Sequence, residues 1–252
     1  ITLRFNLLEN GLTQTELMLK EGADIIDIGG ESTRPGAKDV SIQQELDRVI
    51  PMIEFIQQRF DTIISIDTSK AQVMTEAVKA GASLINDVRA LQEEGALNAA
   101  LKAQVPVCLM HMQGQPREMQ HNPSYDDVMQ DVLGFLQQRI ASCVDAGISQ
   151  QQIIIDPGFG FGKLLEHNYQ LLANLEQFHS LQVPVLAGMS RKSMIGNLLQ
   201  RDMDQRLAGN VAVATVAANK GAQIIRVHDV KETVDAIKII LKLNECRNNN
   251  EQ

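Results

Sequence analysis

Cysteine is scarce. The three present, Cys108, Cys143 and Cys246, are odd in number, far apart and outside any metal-ligand spacing. They exclude a disulfide scaffold and fit a reduced, cytoplasmic protein. Long apolar runs are missing: none approaches the ~18 residues that span a bilayer, and Ile1-Thr2-Leu3-Arg4 has no signal-peptide pattern. No membrane association is expected. A basic excess is missing too. The net charge of −8 and pI of about 5.2 oppose non-specific nucleic-acid binding. No linker, repeat or low-complexity stretch breaks the chain before a polar tail at 244–252, which is expected to fray. Residues 1–252 therefore read as one domain, and 44% apolar residues suffice for a sizeable core.

What is present is a rhythm. Short runs rich in Ile and Val recur at 24–28, 63–66, 83–85, 105–110, 153–155, 183–186 and 222–227. They are too short for helices and nearly continuous in apolar character, as strands buried on both faces are. Helical stripes lie between them. Leu46, Val49, Ile50, Ile53 and Ile56 form one, with a kink expected at Pro51. Val128, Val132, Leu136 and Ile140 form another at i, i+4 spacing. Glycines at 22, 81, 147 and 221 fit helix stops. Alternating strand and helix means a parallel sheet. Nearly every strand run ends in a polar or glycine cluster. Functional groups after many successive strands point to a (β/α)8 TIM barrel, whose strands aim their C-terminal ends at one mouth. An open sheet would gather them at a single switch point.

Several of these strand-end residues have both a structural and a chemical reading. Residues 156–163, Asp-Pro-Gly-Phe-Gly-Phe-Gly-Lys, match neither the Walker nor the GxGxxG spacing. Their glycines read as turn formers, whereas Asp156 follows a strand and points into the mouth. Asp67, Asn86 and Asp156 together could bind a heterocycle that offers N–H donors beside ring acceptors. Asp67 also fits a helix N-cap, and Asn86-Asp87 also fits turn chemistry. Residues 190–193, Ser-Arg-Lys-Ser, suit an anion at a helix start or a solvated basic loop with a serine cap. Arg226 and His228 alternate after a strand and share one face, where a guanidinium can stack on a flat ring or grip phosphate. His111 and His167 have no paired spacing for a metal, and His121 and His179 read as surface residues.

Six segments, taken in order, resemble the dihydropteroate synthase family of pterin-binding barrels. They are 24–36 (Asp-Ile-Ile-Asp-Ile-Gly-Gly-Glu-Ser-Thr-Arg-Pro-Gly), 65–68, 85–87, 156–163, 190–193 and 226–229. The resemblance implies condensation of a dihydropterin pyrophosphate with p-aminobenzoate, giving dihydropteroate and pyrophosphate. It implies that Asp67, Asn86, Asp156 and Lys192 line the pterin pocket, with Arg226 stacked on the ring and Met110 in apolar contact. Thr33, Arg34, Arg226 and His228 would lie near pyrophosphate, and Pro35, Phe161 and Ser193 near p-aminobenzoate. Lys192, Asp156 and Arg226 would carry the catalysis. Mg2+ and a homodimer are also implied.

The family carries a loop, Asn-Val-Thr-Pro-Asp-Ser-Phe-Ser, after its first strand, which serves Mg2+ and pyrophosphate. Here Ile1-Thr2-Leu3 passes directly to Arg4-Phe5-Asn6-Leu7. The first strand and that loop are therefore expected to be incomplete in this sequence, its metal ligand is unknown, and further residues are expected between Leu3 and Arg4 in the natural protein. Two alternatives share the pocket residues: a methyltetrahydrofolate methyltransferase and a non-catalytic pterin-binding protein.

Overall fold

A computed structural model describes residues 8–32, 36, 37, 39–114 and 123–249. Among these, strands and helices alternate. Helix α1 (Leu8–Lys20) precedes β1 (Ile25–Gly29), α2 (Ile42–Arg59), β2 (Ile63–Asp67), α3 (Ala71–Ala80), β3 (Leu84–Asp87) and α4 (Ala96–Ala103). Then follow β4 (Val107–Met110), α5 (Val128–Asp145), β5 (Ile153–Asp156), α6 (Leu165–Ala173), β6 (Leu186–Ala187), α7 (Ser193–Leu199), α8 (Leu207–Asn219), β7 (Ile224–Ile225) and α9 (Val230–Asn249). All seven strand runs seen in the sequence are strands here. β1 to β5 pair in order, all parallel, and β6 pairs with β7 in the same sense. A bridge between Ile155 and Val185 joins the two parts. The result is a parallel α/β arc of the TIM-barrel kind, which among the described residues stays open between β7 and β1.

Strand alternation sorts the residues into two environments. Ile26, Ile28, Ile64, Ile66, Ile85, Val107, Leu109, Ile153 and Ile155 are all buried and face the helices. The alternate positions face the barrel axis, and many are polar: Asp27, Ser65, Asp67, Asn86 and Asp156. The helices bring matching stripes. In α5, Val128, Val132, Leu136 and Ile140 are all buried, as their spacing predicts. In α2, Val49, Ile53 and Ile56 are buried, with Met52 and the unexpected Glu45 beside them, while Leu46 and Ile50 are only half-buried. Pro51 does not break α2, which runs as one helix; Asp47, whose carbonyl loses its usual donor, lies on the exposed side.

Local signals set the ends. Ser41 starts α2 with a reciprocal capping box: Gln44 N–H donates to its hydroxyl at 3.2 Å, and its own N–H donates to Gln44 Oε1 at 3.0 Å. Gly22, Gly81, Gly147 and Gly221 follow helix ends with positive φ, as expected of stops. Helix α9 extends through Asn249, into the stretch 244–252 that was expected to fray.

Ile53 is fully buried on the sheet-facing side of α2. Ile53→Ala should cost ~2–5 kcal/mol, read as a lower urea midpoint with an unchanged slope. A shift near zero would mean that α2 does not pack on the sheet in this way.

Candidate active site

The C-terminal strand ends form one polar mouth. Register places Gly29 beside Asp67, Asp67 beside Asn86, Asn86 beside Cys108, and Met110 beside Asp156. Arg226, just past β7, reaches across the opening. Its Nε donates to Asp27 Oδ2 at 2.7 Å and its Nη2 to Asp67 Oδ2 at 3.0 Å. The Arg226 side chain is still 40% exposed, so one of its faces is available to a ligand in the mouth. Asp67 is no N-cap: Lys70 holds that position before α3, without a side-chain cap hydrogen bond.

Adjacent residues Asn86 and Asp87 take opposite roles. Asp87 is fully buried and accepts from the Ser69 hydroxyl, Arg89 N–H at 2.8 Å and Leu91 N–H at 2.8 Å. It holds a turn in which Ala90 and Leu91 both have positive φ. The Asn86 amide points into the mouth and hydrogen-bonds to no side chain or backbone group among the described residues. The turn chemistry that the sequence allowed for this pair falls to Asp87.

Asp156 Oδ1 accepts from Gly158 N–H at 2.7 Å, while its Oδ2 takes no hydrogen bond among the described residues. Glycine at 188 keeps the space above it open: a Cβ there would sit 3.9 Å from that oxygen. Lys192 caps this side. Its Nζ donates to Phe159 O at 2.5 Å and lies 4.5 Å from the centre of the Phe161 ring. Ser193 is the first, exposed residue of α7, and no serine caps that helix. Arg191 turns away to pair with Asp229, so the basic segment is not a solvated loop. His228 sits against Ser190, with ring Nδ1 and hydroxyl 3.1 Å apart. Met110 closes the floor and is buried. Thr33, Arg34 and Pro35 lie outside the described residues, as do His121 and the junction of Leu3 with Arg4.

The glycines of 156–163 serve the backbone. Gly158, Gly160 and Gly162 have φ of +71°, +78° and +61°, and a Cβ on Gly158 would lie 1.8 Å from His111 O. Two residues of the site were not singled out in the sequence. Asp27 is one, a charge within an apolar strand run. Lys163 is the other: it is buried and bonded to His111. Its signal was a lysine closing a glycine-rich turn with no phosphate-loop spacing to explain it.

Charge in the mouth is unevenly shared. Burial pushes the Asp67 carboxyl up to about 7; the Asp27 carboxylate adds to this and Arg226 opposes it. Burial is the largest influence on Asp27 as well, but positive charge, Arg226 first, and a hydrogen bond from Ser65 together hold that carboxyl below its ordinary value. The asymmetry follows from geometry, since Arg226 approaches Asp27 more closely, by two nitrogens. Burial raises the Asp156 carboxyl against the pull of Lys192 and Gly158 N–H. Burial likewise pushes Lys192 down to about 8, with Asp156 opposing.

Comparison with known proteins shows the family of this chain. The sequence pattern described as "Pterin binding enzyme" matches residues 2–228. A dihydropteroate synthase of Haemophilus influenzae is 58% identical over 236 residues, covering 94% of this chain and 86% of that protein. The chain belongs to the dihydropteroate synthase family of pterin-binding enzymes. Solved members of the family share its fold. A Yersinia pestis dihydropteroate synthase in a sulfonamide drug complex superposes with a TM-score of 0.94 at 59% identity, over 95% of this chain and 87% of that one. A Xanthomonas albilineans dihydropteroate synthase with 4-aminobenzoic acid gives 0.90 at 48% identity, over 94% and 85%. Among the described residues no three His, Cys, Asp or Glu side chains converge on a point that would hold a metal ion. No helix among them is long and apolar enough to cross a membrane.

The raised Asp67 carboxyl has a sign that can be tested. An unfolded aspartate titrates near 4, so between about pH 4 and 7 the folded protein holds the extra proton. The stability from this group is full at the acid end and is lost as pH rises toward 7, above which the slope vanishes. Asp67→Asn should flatten that part of the stability profile, and the wild-type Asp67 carboxyl carbon should titrate near 7 by NMR. A midpoint near 4 would refute the charge assignment.

Proposed function

We propose that this chain condenses 6-hydroxymethyl-7,8-dihydropterin pyrophosphate with p-aminobenzoate, releasing pyrophosphate and forming 7,8-dihydropteroate. It is a transferase of folate biosynthesis, as its relatives' name indicates. The observation that carries the chemistry is unspent hydrogen-bonding capacity at one strand-end mouth. Asp156 Oδ2 and the Asn86 amide face the same opening, between the cations Lys192 and Arg226. An acceptor-only carboxylate beside a donor–acceptor amide matches a pterin edge. Buried groups of this kind would be costly to keep unless a ligand completes them.

The roles follow from charge. In the reaction the C–O bond between the pterin methylene and pyrophosphate breaks, and its electron pair leaves with pyrophosphate. The amine nitrogen then bonds to that carbon and gives up a proton. Asp156, bonded to ring N–H groups, stabilises positive charge spread over the pterin, and Arg226 with His228 favours the departing anion. Arg226 can stack on the ring by its exposed face. Asp67 and Asn86 bind the ring edge, and Met110 supplies its apolar floor. Phe161 and Ser193 border p-aminobenzoate, together with Pro35, while Thr33 and Arg34 serve pyrophosphate. A neutral aryl amine is already nucleophilic at pH 7, so no strong general base is required.

Mg2+ belongs to this proposal on the strength of the resemblance. When bound, the ion would neutralise charge developing on the departing pyrophosphate. A cytoplasmic homodimer completes the proposal. The free cysteines support the compartment. Leu198, Leu207, Val216 and Ile239, exposed on the neighbouring helices α7, α8 and α9, support a covered face. The similarity to named synthases favours this reading over the methyltransferase and the non-catalytic binder. Pyrophosphate release that requires both substrates tests it, and release of none would refute it.

Asp156→Asn should weaken pterin binding by roughly 2–3 kcal/mol, the worth of a charged acceptor on buried donors, with the fold intact; calorimetric titration with near-wild-type affinity would remove Asp156 from the pocket. Lys192→Ala should lower kcat with little change in melting temperature. Unchanged turnover with a sharply lower melting temperature would make Lys192 structural.

A further inference from the structure

We propose that Lys163 is a positioning residue for the pterin pocket, acting through the loop carbonyls of Gly158 and Phe161; this rests on the pterin-binding reading of the mouth. Lys163 is buried, 3% exposed, behind the β5–α6 loop and touches nothing in the opening directly. Its Nζ donates to Gly158 O at 2.9 Å and to Phe161 O at 3.1 Å, and it lies 2.9 Å from His111 Nδ1. These contacts tie down both ends of a four-residue turn. At one end, Gly158 N–H donates to Asp156 Oδ1. At the other, the Phe161 ring lies under the Lys192 ammonium.

The turn needs such an anchor because of its own composition. Gly158, Gly160 and Gly162 all take positive φ and contribute no side chains that could fix it. If Lys163 were apolar, Phe161 O would lose its side-chain donor and Gly158 O would keep only the Phe161 N–H at 3.1 Å, and buried carbonyls are rarely left without a donor. His111 completes the anchor. Burial and the nearby Lys163 push its imidazole down to about 2, so it stays neutral and able to accept. Its ring packs edge-on against Phe135 at 5.0 Å, which fixes it in turn. Two N–H donors are enough for the two carbonyls, so the clamp does not depend on the charge of Lys163.

That last point supplies the test. Lys163→Met keeps the length and removes the donors, whereas Lys163→Gln keeps an NH2 group that can serve both carbonyls. Each purified variant is titrated with 6-hydroxymethylpterin by calorimetry and melted without ligand. The expected result is affinity weaker by about 10-fold or more in Lys163→Met, the size of leaving one buried carbonyl without its donor, with Lys163→Gln within about 3-fold of wild type. Wild-type affinity in Lys163→Met, whatever its melting temperature, overturns the proposal and leaves Lys163 a structural residue. Equal weakening in both variants overturns it too, because the donors would then not be what matters. If Lys163→Met does not fold, Lys163→Gln decides alone: affinity within about 3-fold supports the clamp, and a loss of 10-fold or more overturns it. Failure of the wild-type protein to bind the ring would instead overturn the pterin reading, and is seen before any variant is made.

Discussion

Three carboxylates crowded around one barrel axis, two of them buried and one half-buried, would repel one another and resist ionisation unless cations lie among them. Asp27, Asp67 and Asp156 are those carboxylates, and Arg226 is the cation that reaches furthest. It lies 199 positions from Asp27 in sequence and hydrogen-bonds to it across the open side of the arc. Its raised affinity for the proton, due first to Asp27, shows how strongly the acids hold it. The position of β7 relative to β1 and β2 and the charge state of the mouth are therefore set by one guanidinium. Lysine would not substitute well, since Nε and Nη2 of a planar fork both engage Asp27 while Nη2 also reaches Asp67.

This arrangement moves the source of stability outward. The axis is occupied by polar groups, so the apolar burial lies between strands and helices. Ile26, Ile28, Ile64, Ile66 and Ile85 on the sheet meet Val49, Ile53, Ile56, Val73 and Met74 on α2 and α3 in one core. The mouth can hold strained or costly features, such as the positive φ of Ala90, Leu91 and Arg191, because the shell around it is well packed.

Strand order and helix faces were legible because their signals are local and periodic. Val128 to Ile140 repeats every four residues, and each strand run is a short block of Ile and Val. Placement at the mouth was legible where a polar residue ends such a block, as with Asp67, Asn86 and Asp156. Partnership was not legible. Nothing near Asp67 shows whether it caps a helix or meets Arg226, because its partner is 159 positions away. Glu45 looks like a surface acid on α2, yet it is buried because Lys70 reaches it from another element. Asp27 was hidden by its apolar neighbours, since alternation puts it on the axis and them in the core. Lys163 was hidden because its partners are mostly carbonyls, which every residue carries.

The neighbours Asn86 and Asp87 have a consequence for how variation in this protein would be interpreted. One peptide bond separates a side chain that the proposed function gives to the substrate from one that is committed to Ser69 and to the backbone of its own loop. Loss of either would end folate synthesis, and a growth assay would score the two alike. Yet the first loss would leave abundant inert protein that still occupies its place in any assembly and competes with intact copies. The second would leave little protein at all. Two adjacent codons would thus differ in genetic character, one tending toward interference and the other toward simple absence.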